Sequence, residues 1–210
     1  MNDGASLVEL YQALAGRGML IGSSGNVSAR AQDGMLITPS GCKADGLTHE
    51  HLVSMRLDGR GLRAGDRPSS EWEMHAAIYL AAPEAQVIAH THSDHATGLS
   101  CLNLPLPAFH YNVAEFGGED VRCAAYATFG TPELARLAAE AIAGRSACLL
   151  ANHGMICHAA DAKAALTACL RLEALCRQYL LARAAGRPRL LTRDEMTDAR
   201  ARYQTYGAPP

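Results

Sequence analysis

Residues 86–92 read Gln-Val-Ile-Ala-His-Thr-His, an apolar run that closes on two histidines one residue apart. No other stretch limits the fold as tightly. A short apolar run of this kind predicts a buried strand, and a strand turns alternate side chains to the same face. His90 and His92 therefore share one side, roughly 6–7 Å apart at the backbone. Their rings can lean onto one metal ion, for which Zn–N bonds are about 2.0–2.1 Å. Taken alone, the pair is weak evidence for a metal, and two structural histidines are the plainer alternative. In either case the fold must bury 86–89 in a sheet and give two imidazoles a partner at its end.

The rest of the chain supplies that sheet and its cover. Turn signals and apolar patterning predict strands over 27–30 and 35–38, as a hairpin around Gln32-Asp33-Gly34, and further strands over 51–57, 86–92, 147–151 and 155–158. Helical periodicity covers 6–17, 70–82, 94–102, 161–184 and 193–203. Ser70 is read as the N-cap of its helix with Glu73 completing a capping box. Another helix starts at Thr131 as cap with Pro132 at its first position. Leu166, Leu170, Leu172, Leu175, Tyr179 and Leu180 are read as the apolar stripe of the long helix. Residues 103–118 read as loop. Strands and helices intermix without repeats or linkers. The expected fold class is α/β: one three-layer α/β/α domain over 1–210 with a central mixed, largely antiparallel sheet.

Composition narrows function mainly by exclusion. The chain has 210 residues, 49% hydrophobic and 19% charged, which fits an ordinary globular protein with a sizeable core. A net charge of −2 gives no electrostatic case for nucleic acid. The apolar runs are too short to span a membrane, and the first residues lack the basic-then-apolar order of a signal peptide. Seven cysteines, an odd number with no CxxC pair, predict reduced thiols and a cytoplasmic location.

Five segments carry more polar chemistry than their surroundings require. Ser23-Ser24-Gly25-Asn26 and Thr38-Pro39-Ser40-Gly41 are small, glycine-bearing turns whose backbone N–H groups can face an anion, although each is also an ordinary turn. Ser69 and Ser70 precede a predicted helix, where free N–H groups and the helix dipole favour a phosphate. Glu71 either complements that dipole or holds a carboxylate near a metal, able to accept and return a proton. His75 lies on the same helical face and is read as a packing or supporting residue. His90 and His92 come next, and Asn152-His153-Gly154 sets a histidine at a tight corner between two apolar strands. Three histidines, one carboxylate and anion-binding turns match a three-imidazole site with an open fourth position, the pattern of catalytic zinc.

These residues resemble the class II aldolase/adducin family, and within it the fuculose-phosphate aldolase branch. The resemblance rests on SSGNVSAR (23–30), MLITPSG (35–41), PSSEWEMH (68–75), VIAHTHSDHAT (87–97), LPAFHY (106–111), YATFGT (126–131), ANHGMI (151–156) and QTYG (204–207), in family order along nearly the whole chain. It implies metal ligands at His90, His92 and His153, with Glu71 as the acid/base residue that also touches the metal when substrate is absent. It implies that Asn26, Ser40, Gly41, Ser69 and Ser70 hold a substrate phosphate, with Ser23 and Gly25 nearby. Tyr111 would act as a proton donor in the site of a neighbouring subunit of a four-fold homotetramer, and Tyr206 would belong to a C-terminal segment folding over the site. The implied cofactor is one divalent ion per subunit, Zn²⁺ first and Mn²⁺ or Co²⁺ as alternatives.

The implied reaction splits a ketose 1-phosphate, fuculose-phosphate-like or a 5-deoxypentulose phosphate, into dihydroxyacetone phosphate and an aldehyde through a metal-stabilised enediolate. Two departures bear on the sugar: Asn152 replaces a histidine before the third ligand, and Glu115 sits where a small or apolar residue is expected. Same-family decarboxylases, epimerases and dehydratases share the chemistry and remain alternatives, as does a scaffold without catalysis. A further alternative reads His90, His92, Asp94 and His95 as HxHxDH, the motif of binuclear metallohydrolases, with a second metal on Asp94 and His95.

Overall fold

A computed structural model describes residues 4–205. Seven strands form one sheet in the order β3-β2-β1-β4-β7-β6-β5. They are β1 (Asn26–Ala31), β2 (Gly34–Ile37), β3 (Val53–Met55), β4 (Val87–Thr91), β5 (Cys123–Ala124), β6 (Ala147–Leu150) and β7 (Gly154–Ala159). Every pairing is antiparallel except β5 with β6, so the sheet is mixed and largely antiparallel as expected. The helices are α1 (Gly4–Ala15), α2 (Trp72–Ala81), α3 (Asp94–Ser100), α4 (Pro132–Ile142), α5 (Ala162–Ala185) and α6 (Arg193–Thr205).

β4, the expected buried strand, lies at the centre with all five residues buried. Its alternation sorts the two cores. Val87 and Ala89 face a cluster with Leu10, Leu14, Leu99, Leu172 and Cys176 from α1, α3 and α5. Ile88 faces the other cluster, with Met74, Ile78 and Tyr79 of α2 and Leu134 and Ala138 of α4. Each fully buried Leu or Ile contributes about 1.5–3 kcal/mol relative to exposure. The sheet is thus covered on both faces, an α/β/α arrangement. His90 follows Ile88 on the α2 side, and its register partners are Asn26 on β1 and Ile156 on β7.

Several local expectations need correction. Thr131 does cap α4, accepting from the Leu134 N–H at 3.3 Å. Ser70 does not cap α2, and the box with Glu73 is absent. Glu71 occupies the cap position with its carboxylate turned inward, and Ser69 Oγ accepts from the Glu71 N–H at 3.3 Å. The stripe of α5 keeps Leu172, Leu175 and Tyr179, with Leu166 and Leu180 packed at its margin, and adds Ala165, Cys169 and Cys176. Leu170 is 36% exposed on the outer side, because small residues let the helix lie close against the sheet. Residues 49–51 wind into a 3₁₀ turn and shorten β3, and Tyr111–Phe116 forms a second such turn within the expected loop. The two-residue β5 had no periodic signal to find.

Candidate active site

The end of β4 places the first two histidines. His90 is fully buried in the strand, and His92 lies just beyond it with its backbone N–H donating to Met19 O at 3.3 Å. The third comes from the corner between β6 and β7. Residues 151–153 form a turn held by Ser100 at the end of α3, whose carbonyl accepts from the Asn152 N–H at 3.3 Å and whose hydroxyl accepts from the His153 N–H at 3.4 Å. Asn152 takes a left-handed φ of 54°, a conformation asparagine tolerates better than most residues. Gly154 is required by close approach, since a Cβ there would lie 2.4 Å from Thr91 O. Strand β7 can therefore press against the end of β4 and aim His153 at the pair.

The three rings converge. Their centroids are 4.8 Å apart in every pairing. One nitrogen from each lies within 4.8 Å of the others, the one such cluster of potential metal ligands among the described residues. Two nitrogens on one tetrahedral zinc are about 3.3 Å apart, given bonds of about 2.0–2.1 Å. His90 Nδ1–H donates to Met155 O at 2.9 Å, which fixes the tautomer and turns a bare Nε2 inward. That Nε2 lies 2.9 Å from His92 Nε2, and two facing lone pairs repel unless a proton or cation sits with them. Burial, then the neighbouring His90, pushes the pKa of both His92 and His153 down to about 4. Both rings are accordingly neutral near pH 7, the form that binds metal. The donor set fits a divalent ion of the zinc type.

Glu71 stands beside the rings, 6% exposed. Its Oε2 lies 3.3 Å from His90 Nε2 and accepts from Asn26 Nδ2 at 2.9 Å. Its Oε1 lies 3.3 Å from His153 Nε2 and accepts no hydrogen bond. Burial alone would raise the Glu71 pKa, but His90, His153 and the Asn26 amide together hold it below the usual carboxylate range. The carboxylate is thus ionised, buried and only half satisfied.

A cleft of about 350 Å³ opens onto these groups. Ser23, Gly25, Asn26, Ser40, Gly41, Ser69 and Ser70, the residues expected around a phosphate, all line it, together with Glu71, His92 and His153. Gly25 is needed here: its φ is +76°, and a Cβ would meet His90 O at 2.7 Å. The side chain of Asn26 is largely taken up by Glu71 and by His75, whose Nε2 lies 2.6 Å from Asn26 Oδ1.

Other residues lie elsewhere. Tyr111 is 54% exposed, stacks on His110 with ring centroids 4.6 Å apart, and does not line the cleft of its own chain. Glu115 forms an ion pair with Arg171 and borders a separate hollow with Tyr111 and Tyr203. Asp94 begins α3, and His95 is engaged by Glu173 at 2.6 Å, so neither joins the histidine cluster and the HxHxDH reading is not supported. Tyr206 lies outside the described residues. Tyr126, Phe129 and Asn152 line the cleft, and the first two are 62% and 66% exposed. The two aromatics had stood in the sequence only as part of a motif. Ser28 stood there likewise, while Tyr79 lies outside every such motif; the two join His75 behind Glu71.

The family model for the class II aldolase and adducin N-terminal domain matches residues 5–180. The chain belongs to the class II aldolase and adducin family. It is 43% identical over 201 residues to a 5-methylthioribulose-1-phosphate/5-deoxyribulose-1-phosphate aldolase of Rhodospirillum rubrum, covering 96% of this chain and 90% of that one. It is 42% identical over 192 residues to an L-fuculose phosphate aldolase of Escherichia coli strain K12, covering 90% and 88%. A solved L-fuculose 1-phosphate aldolase superposes with a TM-score of 0.91 at 36% identity, covering 96% of this chain and 95% of that one. Among the described residues no helix is long and apolar enough to cross a membrane.

Proposed function

We propose that this chain is a divalent-metal aldolase that splits a ketose 1-phosphate into dihydroxyacetone phosphate and an aldehyde. The observation that carries the reading is the convergence of His90, His92 and His153 beside an ionised, half-satisfied Glu71 at the floor of a serine- and glycine-lined cleft. A divalent ion, zinc first among the candidates, would be held by the three imidazoles and supply Lewis-acid stabilisation of the negative charge left when a carbon–carbon bond beside a ketone breaks. Neutral imidazoles leave the double charge of such an ion uncancelled.

The chain's own groups divide the remaining work. Asn26, Ser40, Gly41, Ser69 and Ser70, with Ser23 and Gly25 nearby, grip the phosphate and fix the ketone relative to Glu71. Glu71 Oε1, the bare oxygen, moves the proton at the carbon of dihydroxyacetone phosphate that is exposed by cleavage. General acid–base help of this kind is typically worth about 10²–10⁴-fold. The aldehyde half of the sugar lies towards Tyr126, Phe129 and Asn152. Its hydroxyl requires a proton carrier, the part that the family resemblance gives to Tyr111. Tyr111, exposed and outside its own cleft, serves the cleft of a neighbouring copy in a homotetramer. The enzyme is a single domain acting in the cytoplasm.

The named activities of the relatives make 5-deoxypentulose 1-phosphates, 5-methylthioribulose 1-phosphate and L-fuculose 1-phosphate the substrates to test. The deciding experiment offers each, with and without chelator, and reads dihydroxyacetone phosphate directly. Its release, abolished by chelator and restored by a divalent metal, is the expected result. Release of carbon dioxide, an epimer or a dehydrated sugar without dihydroxyacetone phosphate would replace this reading with another chemistry of the same family.

A further inference from the structure

Behind Glu71 and Asn26 runs a line of three buried polar side chains, His75, Ser28 and Tyr79, that the proposed reaction does not itself use. Tyr79 OH lies 2.9 Å from Ser28 Oγ. Ser28 Oγ lies 2.7 Å from His75 Nδ1. His75 Nε2 lies 2.6 Å from Asn26 Oδ1, and Asn26 Nδ2 donates to Glu71 Oε2 at 2.9 Å. Ser28 and His75 are both 0% exposed and Tyr79 is 1% exposed. The placement follows from two periodicities. Asn26 and Ser28 are two apart on β1 and face the α2 side. His75 and Tyr79 are four apart on α2 and face the sheet.

The direction of this line is set from its carboxylate end. An ionised carboxylate only accepts hydrogen bonds, so Asn26 must present its NH₂ to Glu71 and its carbonyl oxygen to His75. That oxygen also only accepts, so His75 must donate from Nε2. A neutral imidazole with Nε2–H has a bare Nδ1, which accepts from the Ser28 hydroxyl. Ser28 in turn accepts from Tyr79, whose phenol burial keeps protonated. Every donor therefore points towards Glu71. The opposite His75 tautomer would flip the amide and set Asn26 Oδ1 against the carboxylate. Complete burial keeps His75 neutral, its pKa pushed down to about 3.

We propose that His75 is a positioning residue for Glu71: its Nε2–H fixes the orientation of the Asn26 amide, which holds Oε2 and leaves Oε1 as the one oxygen free to carry the substrate proton. The inference rests on the reading of Glu71 as the proton carrier. It makes the buried line a means of selecting which carboxylate oxygen reacts, and it explains why a polar residue rather than an apolar one fills this part of the α2 core.

Two measurements test it. In the metal-free protein, two-bond ¹H–¹⁵N correlation spectra of the His75 ring should show Nε2 protonated and Nδ1 bare at pH 7. An Nδ1–H tautomer or an imidazolium overturns the inference. The second measurement compares His75→Gln, which sets an amide N–H near the position of Nε2, with His75→Asn, which sets it near Nδ1, and with His75→Leu, which has neither. All three lower the melting temperature and all three retain metal. His75→Gln keeps most of the proton exchange on dihydroxyacetone phosphate, while the other two lose about 10–100-fold per metal-loaded molecule in kcat with KM little changed. Equal exchange in all three sinks the inference even if their stabilities differ. If the wild-type protein itself performs no exchange, the role of Glu71 fails and the ring tautomer alone decides the place of His75.

Discussion

The floor and the rim of the cleft are built by different means. At the floor, Asn26, Glu71 and His90 are each less than a tenth exposed, and strand register and short hydrogen bonds fix them. At the rim, Tyr126 and Phe129 are more than half exposed on the segment between β5 and α4, and Tyr111 stands outside the cleft altogether. The floor is over-determined: moving one group disturbs the sheet, the histidine cluster and the carboxylate together. The rim is free to vary at little cost to folding. On the proposed function, the proton and charge chemistry belongs to the scaffold, and discrimination between sugar tails to side chains that the scaffold hardly constrains. The similar identity to relatives named for methylthioribulose, deoxyribulose and fuculose phosphates is consistent with that division.

The largest expected effect breaks the floor chemically while leaving it folded. Glu71→Gln should retain the metal and lose proton exchange on dihydroxyacetone phosphate by about 10²–10⁴-fold. Full exchange in that variant, measured by solvent deuterium uptake, would contradict the role given to Glu71. A second variant breaks the floor sterically. Gly154→Ala forces a methyl group to within 2.4 Å of Thr91 O. It should cost about 1–3 kcal/mol in chemical denaturation and weaken metal binding with it.

Acid offers a third way to separate the two regions. His75 is neutral in the fold until about pH 3 but takes a proton near its ordinary 6.5 once unfolded. Between those values the unfolded chain holds more protons, so His75 alone makes stability fall as pH falls, by up to about 1.4 kcal/mol per pH unit, and in the metal-free protein His92 and His153, neutral until about pH 4, add loss in the same direction. Glu71, held below the usual carboxylate range, adds loss in the same direction below about pH 4.5. Denaturation of the metal-free protein at pH 7, 6 and 5 checks this, and a flat profile would show that the floor does not exclude protons as described. The smallest effect belongs to the rim. Phe129→Ala should change stability by less than about 0.5 kcal/mol, yet shift the ratio of kcat/KM between apolar-tailed and hydroxylated ketose phosphates. An unchanged ratio would remove Phe129 from substrate discrimination.

How far these regions were legible in the sequence follows from the same contrast. The strand through 86–92 and its paired histidines could be read because alternation is a local property. The corner at Asn152-His153-Gly154 could be read because only glycine tolerates that approach of strands. Ser70 was misread as a cap because local propensity competes with a tertiary demand: Glu71 takes the cap position and turns inward to Asn26 and the rings. The leucines of α5 marked most of the buried stripe, Leu170 excepted, but not Ala165, Cys169 and Cys176, small residues that complete it against the sheet. The role of His75 depends on partners 49 and 47 residues away in sequence, which no local pattern announces. The position of Tyr111 likewise depended on the fold of 103–118, where periodicity is absent.

The most direct test is a crystal structure of the metal-loaded protein with the ion located by its anomalous scattering. The account predicts one divalent ion per chain, about 2.0–2.1 Å from a ring nitrogen of each of His90, His92 and His153, and none in His92→Ala. Two ions with one on Asp94 and His95, or a single ion bound away from the three rings, would contradict it.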